Sequence, residues 1–258
     1  MESTQPLALV TGASSGIGFE LARQFAEHGF DVIVAAEDQD IATAAAELGA
    51  EPVQVDLATE DGVEQLWRSV GGRPLAAVAL NAGIGAGGAF KDTELRDELK
   101  LIDLNVRSTV RLAKLVVRDM VGRDEGRILF TSSIASTMPG SFQAVYNASK
   151  SFVQSFALAL REELKGSGVS VTSLMPGPTA TEFFERADML DTPVGSGEKD
   201  DPADVARDGF EALMAGKERV VSASMSTKLQ GRGSRLLPDS AKAAMHRRMA
   251  EPGSGDED

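Results

Sequence analysis

Short runs of apolar, often β-branched residues alternate along the chain with longer stretches whose apolar positions recur every three or four residues. The runs at 7–10, 32–34, 52–55, 77–80, 127–130, 169–172 and 219–221 read as seven strands. Several are apolar at successive positions, so both of their faces need cover, which indicates a parallel sheet between helical layers. The segments near 16–29, 39–48, 60–70, 94–121, 143–165 and 202–215 carry helical spacing. Strand and helix in regular alternation predict an α/β fold: a doubly wound, mainly parallel seven-stranded sheet with helices on both faces.

A hydrophobic fraction of 42% across 258 residues supports one large core, and nothing in the chain looks like an interdomain linker or an internal repeat. We therefore expect a single domain over 1–251 and a flexible acidic tail at 252–258. Cysteine is absent, which removes disulfides, thiolate chemistry and cysteine metal sites. His28 and His246 are the only imidazoles, so no metal site is expected. The formal net charge of −13 opposes nucleic acid and anionic membranes. Residues 1–6 lack the basic and apolar regions of a signal peptide, and no apolar run is long enough to span a bilayer. These features point to a soluble, cytoplasmic protein whose partners are small molecules or copies of itself.

The first strand runs directly into Thr11-Gly12-Ala13-Ser14-Ser15-Gly16-Ile17-Gly18, which opens the first helix. Gly12 permits a sharp turn, Gly16 lets backbone approach a pyrophosphate, and Gly18 lets the helix pack close to the strand. Ser14 and Ser15 place hydroxyls beside a helix amino end, whose free N–H groups and dipole attract anions. In a Rossmann-type fold such a turn receives the phosphates of a dinucleotide. A glycine-rich turn without a ligand remains the alternative for the motif taken alone.

Tyr146, the only tyrosine, precedes Lys150 by four residues, so the two share a helix face. A phenol is a poor proton carrier near neutrality, and a nearby ammonium favours the phenolate. The pair can therefore act as a general acid/base, although the spacing alone also fits a solvated surface contact. Ser133, thirteen residues upstream, follows the fifth strand at the carboxyl edge of the sheet, where α/β folds bind ligands. The plainer role for it is turn capping, which Ser132, Ser136 and Ser141 could also fill. Asn105 sits in an otherwise apolar helical stretch, where a buried amide needs partners; a satisfied core asparagine is its plainer reading.

Taken in order, several motifs resemble the short-chain dehydrogenase/reductase family in its common subgroup of about this length. They are the G-x-x-x-G-x-G turn, Asp56, Asn81-Ala82-Gly83, Asn105, Ser133, Tyr146-x-Ala-Ser-Lys150 and Pro176-Gly177, and the likeness runs from Leu7 to roughly Val221. The resemblance implies an NAD(P)-dependent oxidoreductase that moves a hydride between nicotinamide and a carbonyl or secondary alcohol. By it, Tyr146 carries the proton and Ser133 holds the substrate oxygen. Lys150 lowers the Tyr146 pKa and holds the nicotinamide ribose, and Asn105 helps to hold a water leading to the lysine. The implied cofactor contacts are Gly12, Ser14, Ser15, Gly16, Ile17, Gly18, Glu37, Asp56 and Leu57 toward the adenosine half. Asn81, Ala82, Gly83, Pro176, Gly177, Thr179 and Thr181 follow toward the nicotinamide and phosphates. Leu80 stands where the family often has Asn.

After the second strand the chain reads Ala35-Ala36-Glu37-Asp38. NAD users often place Asp at the position of Ala36, and NADP users often place Arg at that of Glu37. Ser15 also replaces the basic residue frequent in the glycine turn of NADP users. With Glu37 near the ribose, where it would repel a 2′-phosphate, NAD is favoured over NADP. Substrate choice in the family lies after Pro176-Gly177, here in a lid at about 178–200. Phe183 and Phe184, with Met138 and Phe142 near the catalytic loop, form an apolar pocket or else simply pin the lid to the body. The helix after Tyr146 is apolar around much of its circumference. In the family it pairs with the Asn105 helix across a two-fold axis, which implies a homodimer or homotetramer. The competing reading is a catalytically silent dinucleotide sensor or scaffold of the same fold.

Overall fold

The computed structural model describes residues 5–222 and 237–255. Among these, the strands β1 (Leu7–Thr11), β2 (Asp31–Ala36), β3 (Glu51–Gln54), β4 (Leu75–Leu80), β5 (Gly126–Thr131), β6 (Val169–Pro176) and β7 (Arg219–Ser222) form one sheet. Its order is β3-β2-β1-β4-β5-β6-β7, and every pairing is parallel. The crossovers are α1 (Gly16–Glu27), α2 (Asp40–Leu48), α3 (Glu60–Val70), α4 (Leu95–Ile102), α5 (Thr109–Arg123) and α6 (Ala144–Glu163). Two short helices, α7 (Phe183–Arg186) and α8 (Pro193–Ser196), precede α9 (Pro202–Met214), and α10 (Asp239–Ala250) follows the last strand. This is the doubly wound Rossmann-type sheet that the sequence predicts.

Alternation along the strands divides the core into two layers. Leu7, Leu9, Ile33, Val78 and Ile128 pack with Val63 and Leu66 of α3, Leu112 and Val116 of α5 and Val153 of α6. Ala8, Val10, Val34, Ala77 and Ala79 pack on the other face with Leu21 and Phe25 of α1, Ile41 of α2 and Phe210 of α9. Small strand residues on the second face leave room for Phe25 and Phe210, whose rings meet edge to face with centroids 5.2 Å apart. A strand buried on both sides has no polar face, which is why these segments read as unbroken apolar runs.

The topology also fixes where a ligand can sit. From β1 the sheet extends through β2 and β3 on one side and through β4 to β7 on the other. The loops leaving β1 and β4 therefore diverge and open a crevice at the carboxyl edge. Thr11 ties those two strand ends together: its hydroxyl oxygen accepts the N–H groups of Asn81 and Ala82, each at 3.0 Å.

Three features depart from the sequence reading. The helix expected over 94–121 runs unbroken through α4 and α5, but its turn Asp103–Ser108 between them is π-helical and not α-helical. Helix α10, which the apolar spacing does not announce, is a run of good helix formers after Pro238. Residues 252–255, expected to be flexible, are held down: the N–H of Gly253 donates to Asp191 Oδ2 at 2.7 Å and that of Gly255 to the Asp191 carbonyl at 2.8 Å. The rest of that tail, 256–258, lies outside the described residues, as do 1–4 and 223–236. No helix among the described residues is long and apolar enough to cross a membrane.

Candidate active site

The glycine turn is built by contacts that exclude side chains. Gly12 and Gly16 have φ of 65° and 57°. A Cβ on Gly12 would lie 2.8 Å from Ala82 Cα, and one on Gly18 only 1.9 Å from the Gly12 carbonyl oxygen. One on Gly16 would meet Thr181 Cγ2 at 2.8 Å, so the segment after β6 closes directly over the turn. Ser15 caps α1 in extended backbone without using its hydroxyl, which leaves the first N–H groups of the helix for an anion.

Across the crevice, β5 and α6 bring the candidate catalytic side chains together. Ser133 leaves β5 in extended backbone, and its hydroxyl oxygen accepts the Ala135 N–H at 3.1 Å while facing Tyr146 in a hydrogen bond. Its neighbours are used elsewhere: Ser132 donates to the Lys150 carbonyl at 2.9 Å, Ser136 to the Ser133 carbonyl at 2.6 Å and Ser141 to the Ala243 carbonyl at 2.9 Å. Ser133 itself caps the short turn Ile134–Thr137, and it differs from these three in facing Tyr146. Lys150 Nζ donates to the Thr131 carbonyl at 3.0 Å and lies 6.0 Å from the Tyr146 ring centre. Asn147, beside Tyr146, donates to the carbonyls of Ala135 and Met138 at 3.1 and 3.2 Å, tying the Ser133 loop to α6.

Several predicted site residues act through the backbone. Asn105 stands behind the crevice in the π-helical turn, almost fully buried, and brackets Ile84 by accepting its N–H and donating to its carbonyl, both at 2.9 Å. It also donates to Ser149 Oγ at 3.1 Å. The extra residue of the π turn aims this amide inward, a local departure from helix that often marks a working site. Gly83 fits between Asn105 and Lys150, since a Cβ there would lie 3.1 and 3.2 Å from their polar ends. Asn81 turns away from the crevice to donate to the carbonyls of Thr11 and Gly12 at 3.1 and 3.3 Å. Asp56 uses Oδ1 to accept the Ala58 N–H at 2.8 Å. Thr179 donates to the Gly177 carbonyl at 2.9 Å, and the Thr181 hydroxyl accepts the Phe183 N–H at 3.3 Å.

All of these meet around one cleft of about 360 Å³. Gly12, Ser14 to Gly18, Glu37, Asp56 and Leu57 line one end, Asn81, Ala82, Gly83, Pro176, Gly177, Thr179 and Thr181 the middle, and Ser133, Tyr146, Lys150, Met138, Phe183 and Phe184 the other. Phe142 does not line the cleft: half-buried beneath the guanidinium of Arg247, 5.4 Å from the ring centre, it packs against Phe184, Ala187 and Met189, which fits the alternative that it pins the lid to the body. Gln143 takes its place in the wall. The sequence reading also missed Asp38, whose Oδ2 accepts from Ser14 Oγ at 2.9 Å while its buried Oδ1 has no partner. It missed Met245, His246 and Met249, which α10 presents to the substrate end.

Residues 6–189 match the family model for short chain dehydrogenases. The chain belongs to the short-chain dehydrogenase/reductase family. An uncharacterised short-chain type dehydrogenase/reductase of Sinorhizobium fredii is 35% identical over 187 residues, covering 70% of this chain and 73% of its own length. Among solved structures, a short-chain dehydrogenase from Sphingobium yanoikuyae in complex with NADPH aligns with a TM-score of 0.78 at 26% identity, over 90% of this chain and 96% of that one. A 3-ketoacyl-(acyl-carrier-protein) reductase from Brucella melitensis complexed with NADH gives 0.74 at 25%, over 85% and 96%. The side-chain-free cradle and the open amino end of α1 fit the phosphates of a dinucleotide.

Burial governs the proton chemistry of this dehydrogenase/reductase site. It pushes the Tyr146 phenol up to about 12, and the hydrogen bond with Ser133 offsets only part of the rise. Burial also pulls Lys150 down to about 8. Burial outweighs any help the phenol receives from Lys150: both groups are desolvated, and desolvation disfavours each charged form. Between about 8 and its ordinary value of 10.5, Lys150 holds a proton in the unfolded chain that the folded one lacks. Stability attributable to this residue thus rises with pH across that window, and below it the folded state carries the full cost of a buried ammonium. Lys150→Met should therefore unfold at higher urea than wild type at pH 7, by up to about 3 kcal/mol, with the gap closing toward pH 10.5. A gap independent of pH would mean that Lys150 is not desolvated as described.

Proposed function

We propose that this chain is an NAD-dependent oxidoreductase that reduces the carbonyl of a small, largely apolar substrate, with Tyr146 as general acid. The observation that carries the reading is the sharing of one cleft by the glycine cradle and the Ser133, Tyr146 and Lys150 cluster. When bound, the nicotinamide supplies or accepts the hydride. Ser133 offers its hydroxyl to the substrate oxygen and fixes its place. Tyr146, protonated because burial raises its pKa, donates to that oxygen as negative charge develops there. The phenolate left behind is stabilised by the Ser133 hydroxyl and by the ammonium of Lys150 on the same helix face. Asn105 contributes by holding Ile84 and Ser149 in place beside the lysine.

Tyr146→Phe should lower kcat by about 10²–10⁴-fold on any accepted ketone while leaving the dinucleotide dissociation constant within about threefold, because it deletes the proton carrier and little volume. A panel of ketones and secondary alcohols with each cofactor measures this. Tight dinucleotide binding without turnover of any compound would point instead to a sensor, and an active variant would remove Tyr146 from the chemistry.

Charge at the nucleotide end supports NAD, but by a different residue from the one the sequence suggests. Glu37 is half-exposed and paired with Lys100 at 3.4 Å, which neutralises much of its repulsion toward a 2′-phosphate. Asp38, which lines the nucleotide end of the cleft and is anchored by Ser14, is the acid we assign to accept from a ribose hydroxyl. The expected ratio of kcat/KM for NADH over NADPH is about tenfold, and Asp38→Ser should move it toward NADPH. A wild-type preference for NADPH would overturn this assignment.

Leu95 and Leu99 stand on α4 at 66% and 49% exposure, and Phe152 is exposed on the adjacent α6. Water-facing apolar side chains on neighbouring helices fit burial against a second copy of the chain. Light scattering at micromolar concentration should give a dimer or tetramer mass; a monomer would refute the pairing.

A further inference from the structure

Helix α10 reaches the cleft from beyond the part of the chain that the family model matches. It is anchored to the catalytic loop on one side, where the Ser141 hydroxyl donates to the Ala243 carbonyl, and to the lid on the other, where Ala250 packs among Phe184, Ala187 and Met189. Between those anchors the helix presents Met245, His246 and Met249 to the substrate end. His246 is the exception in this apolar face. Only 5% exposed, it makes a 2.9 Å hydrogen bond from Nδ1 to the Ser141 carbonyl.

A carbonyl oxygen can only accept, so the proton of that bond resides on Nδ1. Burial holds the imidazole pKa below its ordinary value, so the ring is neutral and Nε2 carries a lone pair. Nε2 makes no hydrogen bond among the described residues. Three other polar side chains around this end use their donors within the protein. Gln143 Nε2 contacts Met189 Sδ, Thr137 donates to the Ile134 carbonyl, and Arg186 pairs with Glu182. What is left facing the substrate is the reacting pair, Ser133 and Tyr146, the Gln143 amide oxygen beside them, and one fixed acceptor on α10.

We propose that His246 is a specificity-determining residue that selects neutral, apolar-bodied ketones carrying a hydrogen-bond donor, such as a hydroxyl or amide N–H, remote from the reacting carbonyl. The proposal rests on the reading that Tyr146 reduces a carbonyl in this cleft. A donor on the substrate satisfies Nε2 where an all-apolar substrate leaves a buried acceptor unpaired, and that asymmetry is what creates selectivity. Anionic tails are disfavoured, because they bring only acceptors to a lone pair.

The test compares p-hydroxybenzylacetone with benzylacetone, which differ by the remote phenolic hydroxyl alone. Wild type should favour the hydroxylated ketone in kcat/KM by about three- to tenfold, mostly through KM. His246→Leu should bring the ratio of the two to about one, and His246→Gln, which keeps an amide acceptor, should retain part of it. Binding of the two ketones to the NAD-loaded protein, followed by calorimetry, gives the same ratio without turnover. Equal values in the wild type by both measures, or a ratio that survives His246→Leu, would overturn the role of His246. Failure of the oxidoreductase reading is distinguishable, since it would show as a calorimetric preference for the hydroxylated ketone without turnover, or as turnover that survives Tyr146→Phe.

Discussion

The structure depends on how closely the ends of β1 and β4 are drawn together at the point where the sheet changes direction. Thr11 supplies one oxygen to two N–H groups of the loop after β4, and Asn81 of that loop returns its amide to the carbonyls of Thr11 and Gly12. The exchange leaves no room for a side chain at Gly12 or Gly18. Removing those Cβ atoms lets α1 start against the sheet with its open amino end facing the crevice. The same loop continues to Gly83, whose missing side chain is the space shared by Asn105 and Lys150. One polar splice thus sets both the anion cradle and the floor beneath the proton-transfer residues.

Once those groups are brought together, water exclusion and charge pull against each other. The site buries a phenol and an ammonium on one helix face, and the gain from their attraction is smaller than the loss of hydration for either ion. The outcome is a tyrosine firmly protonated and a lysine whose proton is loosely held. A phenol held this firmly carries its proton throughout the neutral range but gives it up less readily than a solvated one, so donation from it depends on negative charge developing on its partner. Function here is maintained at the expense of stability, as expected where a binding site keeps polar groups in a dry environment.

Much of this was legible in the sequence because it is written in local terms. Buried strands show as apolar runs, and the glycine turn shows as missing side chains. Tyr146 and Lys150 show as a helical interval. What the sequence did not disclose are relations between segments. Asp38 looks like an ordinary acid after β2 until Ser14 is found bonded to it, and Glu37 looks like the selecting charge until Lys100, 63 positions away, is found beside it. Phe142 is apolar and near the catalytic loop, yet it packs against lid residues distant in the chain instead of lining the cleft, and no pattern of hydrophobicity encodes that choice. Helix α10 escaped notice because its apolar positions are few and its partner surfaces, the Ser141 loop and the lid, are distant in the chain.

The division between chemistry and recognition follows the same line. The glycine cradle, Asn105, Ser133, Tyr146 and Lys150 all lie within the span that matches the family, residues 6–189. Much of the substrate end lies outside it: α8 and α10 supply Val194, Met245, His246 and Met249 to the wall. Membership of the family therefore constrains the reaction and leaves the substrate open. The lid also depends on the carboxyl-terminal segment mechanically, since Asp191 accepts the N–H groups of Gly253 and Gly255 and the lid's two ends are joined by the bridge between Thr179 and Asp200. A lid pinned at its base and tied at its tip has little freedom to reshape around different ligands. On the proposed reading, selectivity then comes from the fixed chemistry of the wall, to which α10 contributes the imidazole of His246.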